Sequence, residues 1–126
     1  MNPWLEVGLY LALFTFIISF GIMIYRNMVI KKYKDMSKKY PKFVDIRLKT
    51  AEILEKYGIW DEAEAEYLEI IKFFPKYLEA RIKLSDLYVK MGKVNLARAQ
   101  LEEVLKLSDS YQKYYHKALD RIYELD

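Results

Sequence analysis

The chain has 126 residues, with 21 Lys or Arg against 18 Asp or Glu, one His and no Cys. Without cysteine, disulfides and Cys-ligated zinc sites are excluded, and a single histidine excludes a His-rich metal site. The length suits one small domain with an additional segment. The segment from Val44 to Asp126 carries 14 bases and 16 acids, so it lacks the basic face that nucleic-acid binding requires. We expect no metal, no cofactor and no nucleic-acid partner.

The first predicted element is a membrane-spanning helix. Residues Val7 to Tyr25 contain no charged side chain, and about 20 apolar residues cross the roughly 30 Å hydrocarbon core of a bilayer. A cleaved secretory signal needs a basic start and a small-residue cleavage site. The chain instead begins MNPWLE, and MIYRNM follows the apolar segment. The pattern therefore favours a retained transmembrane anchor within residues 1–30.

Positive charge is concentrated on one side of the apolar segment. From Arg26 to Phe43 there are seven bases and one acid, and cytoplasmic flanks of membrane spans collect Lys and Arg. We expect an outside N-terminus and a cytoplasmic C-terminal part, as in the inner membrane of a prokaryote. The basic segment 31–43 is predicted to be a juxtamembrane linker, in which the helix continues out of the bilayer until Pro41 interrupts it. Together with Phe43, this exiting helix is expected to cover the first unit. The basic segment is either an orientation signal alone or also a contact for anionic lipid headgroups, made by Arg26, Lys31, Lys32, Lys34, Lys38 and Lys39.

Small side chains recur along the predicted span at intervals of four, three and four residues. They are Gly8, Ala12, Thr15 and Ser19. This spacing places them on one helix face, where a neighbouring helix can approach closely. Such a stripe also arises by chance in ordinary spans, so a helix-packing role is one of two interpretations.

The remaining sequence repeats with a fixed period. Gly58 and Gly92 are 34 apart, as are Ala63 and Ala97. Around each pair, apolar residues at spacings of three and four predict two amphipathic helices separated by a glycine turn. The predicted domain of residues 44–126 then consists of helical units 44–77 and 78–111 and a capping helix 112–126. The inward positions of that last helix are Tyr115, Ala118, Leu119 and Ile122.

These units resemble the tetratricopeptide repeat (TPR), a helix-turn-helix of about 34 residues that ends in proline. The matching residues are Gly58, Ala63, Tyr67 and Pro75 in the first unit, and Tyr88, Gly92 and Ala97 in the second. The departures are Arg47 and Arg81 at the usual aromatic position, Ile70 and Val104 at a small position, and Asp109 in place of the second proline. The resemblance implies an all-α fold: a transmembrane helix followed by a short α-solenoid.

The resemblance also implies a groove lined by the first helix of each unit. Carried over by position, the groove residues are Asp45, Leu48, Glu52, Glu55, Glu79, Ile82, Asp86 and Val89. This set is acidic with apolar members, so we expect a basic amphipathic helix or basic peptide as its partner.

No residue pattern indicates catalysis. His116 is expected on the surface, and the acids of DEAEAEYLE lie near a helix start, where they favour the helix dipole as a solvated face. The 12 tyrosines are either core residues or binding residues.

Two functions fit these features. One is a membrane-anchored adaptor that recruits or assembles protein partners at the cytoplasmic face. The other is a small accessory subunit of a larger membrane complex, with the transmembrane helix in the interface. An enzyme has no support in the sequence.

Overall fold

The computed structural model describes residues 2–109 and 112–126. Tyr111 and the expected end of the second unit at that residue lie outside the described residues, as does Met1. The described part is helical, with short turns between helices. Its helices are α1 (Pro3–Lys39), α2 (Val44–Lys56), α3 (Trp60–Phe73), α4 (Leu78–Lys90), α5 (Val94–Leu107) and α6 (Lys113–Leu125). The predicted all-α fold is confirmed.

The two units are the helix pairs α2–α3 and α4–α5, and each has the same turn. Gly58 and Gly92 have φ angles of 76° and 75°, a left-handed conformation that glycine adopts without a steric penalty. Beyond the first glycine, the Ile59 N–H donates to the Leu54 carbonyl at 2.9 Å, and beyond the second, the Lys93 N–H donates to Tyr88 at 2.8 Å. Both turns are therefore Schellman motifs that end the first helix of a unit.

The core lies where the helices of the two units cross. Ala63 and Ala97 are fully buried, and their small side chains let paired helices approach closely. Around them pack Leu54, Tyr67, Leu84 and Leu87. A second cluster joins α4 and α5 to Ala118 of α6, so α6 covers the end of the solenoid as predicted. Helix α4 is the central helix, because it contacts α3, α5 and α6.

Helix α1 changes surroundings along its length. Every described residue before Val29 is exposed, whereas Ser37 is buried and Ile30 packs on the core. The Thr50 hydroxyl donates to the Tyr33 carbonyl at 3.1 Å, and Lys34 pairs with Glu62 at 2.8 Å. Residues 31–39 of the expected linker are thus the last turns of a helix that packs on α2 and α3.

This second half of α1 occupies the place of a repeat helix. Val29, Tyr33 and Met36 each lie one repeat period before Ala63, Tyr67 and Ile70 of α3, respectively. Pro41 precedes Pro75 by the same period, and each proline follows an aromatic residue and precedes a lysine. The end of α1 therefore behaves as the second helix of an incomplete unit that comes before α2–α3.

Two arginines make the same contacts in successive units. The Arg47 Nε donates to the Pro41 carbonyl at 2.7 Å, and the Arg81 Nε donates to the Pro75 carbonyl at 3.2 Å. Their Nη1 atoms donate to Glu66 at 2.9 Å and to Gln100 at 3.0 Å, respectively. These contacts explain the departure from an aromatic residue, because arginine ties each turn to the helix that follows.

Candidate partner-binding surface

The first helices α2, α4 and α6 lie beside one another and share one face, here called the inner face. A depression of about 390 Å³ opens on it, with α2, α4 and α6 contributing its sides and Tyr67 of α3 its floor. The lining residues are Glu52, Glu55, Tyr67, Lys83, Asp86, Lys90 and Arg121.

Three ion pairs cross the depression from helix to helix. Lys83 contacts Glu52 at 2.8 Å, Lys90 contacts Glu55 at 2.8 Å, and Arg121 contacts Asp86 at 2.7 Å. The hydrogen bond that Lys83 donates to Glu52 raises the pKa of Lys83, and the one that Arg121 donates to Asp86 raises the pKa of Arg121. Both bases therefore stay charged at neutral pH. Because the pairs are partly exposed, each contributes no more than about 1 kcal/mol to stability.

Tyr67 stays neutral beneath these charges. Its side chain is 1% exposed, and burial, followed by the carboxylates of Glu55 and Glu52, raises its pKa well above the ordinary value. A neutral phenol at the floor is an apolar ring with a polar tip.

The structure separates the residues that were expected to line a groove. Glu52, Glu55 and Asp86 line the depression, and Val89 is 45% exposed beside it. Asp45 is exposed and Leu48 is partly buried at the other end of α2. Glu79 accepts a 3.5 Å hydrogen bond from the Tyr77 hydroxyl.

The expectation that Ile82 lines the groove is wrong. Ile82 is 1% exposed and packs in the cluster that joins α4, α5 and α6, so its side chain cannot contact a partner. Helix α6 covers Ile82 through Ala118. The groove positions were assigned from the two units alone, which do not include α6.

The groove was expected to be acidic because only the acids of this face were counted, whereas bases lie on the same face. Glu52, Glu55 and Asp86 carry three negative charges, and Lys83, Lys90 and Arg121 carry three positive charges, so the depression has a formal charge of zero. The sequence contained a signal for this pattern. Bases recur at the repeat period in Lys49, Lys83 and Lys117, and acids recur at the same period in Glu52, Asp86 and Asp120.

The acids of DEAEAEYLE are not simply a solvated face. Glu62 pairs with Lys34, Glu64 accepts a 2.9 Å hydrogen bond from the Tyr88 hydroxyl, and Glu66 accepts from Ser37 and Arg47. Neighbouring helices α1, α2 and α4 supply these donors, and the periodicity of α3 alone does not reveal them. His116 is exposed, as expected.

Two expected membrane surfaces have distinct environments. Gly8, Ala12, Thr15 and Ser19 lie on the exposed half of α1, where the Thr15 hydroxyl donates to the Ala12 carbonyl at 2.9 Å. Among the expected headgroup contacts, Lys34 pairs with Glu62. Lys38 and Lys39 lie beyond Arg26 on the same helix, about 20 Å further along its axis at the usual helical rise.

The arrangement of helices agrees with solved structures. A thermophilic TPR protein from Thermus thermophilus superposes with a TM-score of 0.65 and 21% identity, over 79% of this chain and 50% of that one. The chain has the tetratricopeptide-repeat fold. A TPR protein from Parabacteroides merdae gives a TM-score of 0.67 and 14% identity, over 82% of this chain and 40% of that one. This chain thus spans half or less of those two proteins.

A third structure is the first TPR domain of Spaghetti bound to the HSP90 peptide SRMEEVD. It gives a TM-score of 0.63 and 15% identity, over 84% of this chain and 83% of that one. No family model matches the sequence, and a search of curated proteins finds no significant match. At these identities the TPR likeness concerns the fold.

Proposed function

We propose that this chain is a membrane-anchored protein-interaction adaptor that holds a partner segment on its inner face at the cytoplasmic side of a membrane. The observation that carries this proposal is the depression between α2, α4 and α6, with three exposed ion pairs above Tyr67. A peptide or helix fits such a surface better than a small substrate, because the surface is open and lined by charged side chains from three helices.

The ion pairs indicate the chemistry of the partner. Each side chain already has an opposite charge within 2.8 Å, so a purely basic partner would compete with three bases of the chain. A partner with both acids and bases can exchange with all three pairs at little cost, since exposed pairs are worth about 1 kcal/mol or less. We therefore expect a partner segment that carries both acids and bases, rather than a purely basic peptide. The Spaghetti domain holds a peptide of mixed charge, with one Arg among three acids.

The apolar half of α1 supports the anchor. Helix α1 is long and apolar enough to cross a membrane, with a mean hydropathy of 2.3 over its apolar window and no burial within the chain. Bases follow this window and a single acid, Glu6, precedes it, which favours a cytoplasmic solenoid. Tethering raises the effective concentration of the inner face toward partners at the same membrane.

A charge swap tests the proposed surface. The double variant Glu52→Lys with Lys83→Glu keeps an ion pair at the same place but reverses its direction. We expect this variant to keep its stability and to lose the partner that the unaltered protein captures in mild detergent, because the pattern of charge is inverted. The matched control is the swap Glu103→Lys with Lys106→Glu, an exposed pair 3.4 Å apart on α5, and it should capture the partner normally.

Capture of the same partner with equal affinity by both swaps would contradict binding at the depression. Loss of the partner in both swaps would indicate a general electrostatic effect and would also contradict a specific inner-face site.

The alternative function is a fixed accessory subunit of a larger membrane complex. The specific observation in its favour is that the small-residue face of α1 from Gly8 to Ser19 is exposed along its whole length. Under this alternative, the protein co-migrates stoichiometrically with a large assembly after mild detergent extraction. Under the adaptor proposal, most of it migrates as a small species and the partner is released at high salt.

A further inference from the structure

The turn between α2 and α3 lies beside the part of α1 where the apolar segment ends. Helix α2 runs antiparallel to α1, because its middle residue Thr50 contacts the Tyr33 carbonyl and its last residues lie beside earlier residues of α1. Earlier in α1, Tyr25 lines one depression together with Lys56 and Tyr57. The turn therefore lies beside the last residue of the apolar segment.

A second depression on the other side of α1 gives the same level. It begins at Asn27, Ile30 and Lys31, continues along α1 to Lys38, and is closed by Ile59 of the turn. The headgroup layer adds about 5–7 Å to each side of the hydrocarbon core, which corresponds to about four residues of helix. If α1 spans the membrane up to Tyr25, the turn from Lys56 to Trp60 lies at the headgroup layer.

Trp60 has the chemistry for this position. It is the first residue of α3, and 38% of it is exposed. Side chains in a helix tilt toward its N-terminus, and the N-terminus of α3 is the end at the level of Tyr25. Tryptophan favours the membrane interface, where its apolar ring is buried and its indole N–H stays wet.

Charges around the turn favour an anionic lipid surface. Arg26, Lys31, Lys32 and Lys56 are all exposed at this end of the molecule. Of the nearby acids, Glu62 is paired with Lys34, while Asp35 and Asp61 are exposed. The bases therefore outnumber the acids. Phe73 has nearly the same exposure as Trp60, 39%, but it lies at the opposite end of α3, far from this level.

We propose that the α2–α3 turn, through Trp60 and Lys56, is a second membrane contact that binds the phospholipid headgroup layer. This contact rests on the proposed anchor and goes beyond it. This contact orients the first unit so that the N-terminus of α3 faces the bilayer and its C-terminus points away from it. The headgroup contacts expected at Lys38 and Lys39 then belong to the end of α1 that points away from the membrane.

The chain contains two tryptophans, Trp4 and Trp60, so fluorescence separates the two claims. The protein is reconstituted in vesicles of phosphatidylcholine and phosphatidylglycerol whose acyl chains are brominated close to the headgroup, and in matched vesicles without bromine. Bromine quenches tryptophan only at short range. The variant Trp60→Phe reports Trp4 and hence the anchor, and Trp4→Phe reports Trp60 and hence the turn.

A third variant is the matched control. It combines Trp4→Phe, Trp60→Phe and Phe73→Trp, and thereby moves the single tryptophan to the other end of α3 at equal exposure. We expect brominated lipid to quench Trp4 and Trp60 and to leave Phe73→Trp unquenched. The charge reversal Lys56→Glu should reduce the quenching of Trp60 and leave that of Trp4 unchanged.

The outcomes distinguish the inference from the proposed function. Quenching of Trp4 without quenching of Trp60 would overturn the second contact and leave the anchor intact. Equal quenching of Trp60 and of Phe73→Trp would also overturn it, because the solenoid would then have no preferred end at the membrane. An unquenched Trp4 would overturn both the anchor and the contact that rests on it.

Discussion

The two halves of α1 belong to one continuous helix and have different roles. The first half, up to Met28, is exposed all round, and apolar side chains on every side are typical of a membrane helix. The second half has one side that packs on the core, with Ser37 buried and Ile30 and Tyr33 partly buried, which is the pattern of a helix that packs in a solenoid. The difference shows that the solenoid continues into the apolar segment without an intervening linker.

This continuity has a consequence for function. A flexible linker would let the inner face adopt any orientation relative to the apolar segment. A helix that packs on α2 and α3 fixes that orientation instead, because it has no joint between the apolar segment and the solenoid. Substitutions in the packed part can therefore be compared with matched substitutions in the exposed half of α1.

The largest effect is expected from removing a central core side chain. Leu84 of α4 is fully buried, so Leu84→Ala should lower the free energy of unfolding by about 2–5 kcal/mol through lost burial and a cavity. Leu11→Ala, in the exposed half of α1, should leave the unfolding of the solenoid unchanged in the same detergent. Denaturant titration followed by circular dichroism measures both, and equal losses would contradict the division of α1.

A smaller effect is expected from overpacking. Ala63 of α3 is fully buried and packs in one cluster with Leu54 of α2. Ala63→Leu should therefore cost about 1–3 kcal/mol of stability. Ala12→Leu makes the same change on the exposed face of α1 and should not alter the melting temperature of the solenoid. A normal melting temperature for Ala63→Leu would show that paired helices do not approach closely there.

Two serines of α1 compare its halves directly. Ser37 is 1% exposed and donates a 2.9 Å hydrogen bond to Glu66 of α3, whereas Ser19 is exposed. We expect Ser37→Ala to destabilise the solenoid by about 0.5–1.5 kcal/mol, the usual value of one hydrogen bond. Ser19→Ala should have no effect. If Ser37→Ala is also neutral in denaturant titration, the second half of α1 is not part of the solenoid.

The last effect appears only at alkaline pH. Burial, and then the hydrogen bond to Glu64, raises the pKa of Tyr88 to about 12, above the ordinary value of about 10. Because the folded pKa is higher, this stabilisation is complete below pH 10 and is lost as the pH rises toward 12. Tyr88→Phe should therefore lose less stability between pH 9 and about 12 than the unaltered protein. An identical pH dependence would show that Tyr88 is not buried against α3.

Much of the solenoid follows from one spacing in the sequence. Pairs such as Ala63 with Ala97 predict the helices and their turns, because a repeated unit places equivalent residues in equivalent packing. The second half of α1 follows the same spacing through Tyr33 and Pro41. The helix continues past the apolar segment as far as Lys39, as expected, but the bases alone do not reveal that this part takes the place of a repeat helix.

The pairing of charges does not follow from the period. The ion pairs join residues 31 or 35 apart, as in Glu52 with Lys83 and Asp86 with Arg121, because they depend on how neighbouring helices cross and on side-chain reach. The burial of Ile82 depends in the same way on α6, which lies beyond the two units. Assigning residues by their position in the repeat therefore cannot predict these contacts between helices.

The central claim is that α1 joins the anchor to the solenoid without a joint, and a distance distribution tests it most directly. Because the chain has no cysteine, spin labels can be attached at Leu13→Cys in the exposed half of α1 and at Glu102→Cys on α5, both exposed positions. Pulsed electron resonance in vesicles then measures the distances between the two labels. We predict one narrow distribution, unchanged when the solenoid is free of partners. A broad distribution, like that of a chain with a flexible linker after the apolar segment, would contradict the account.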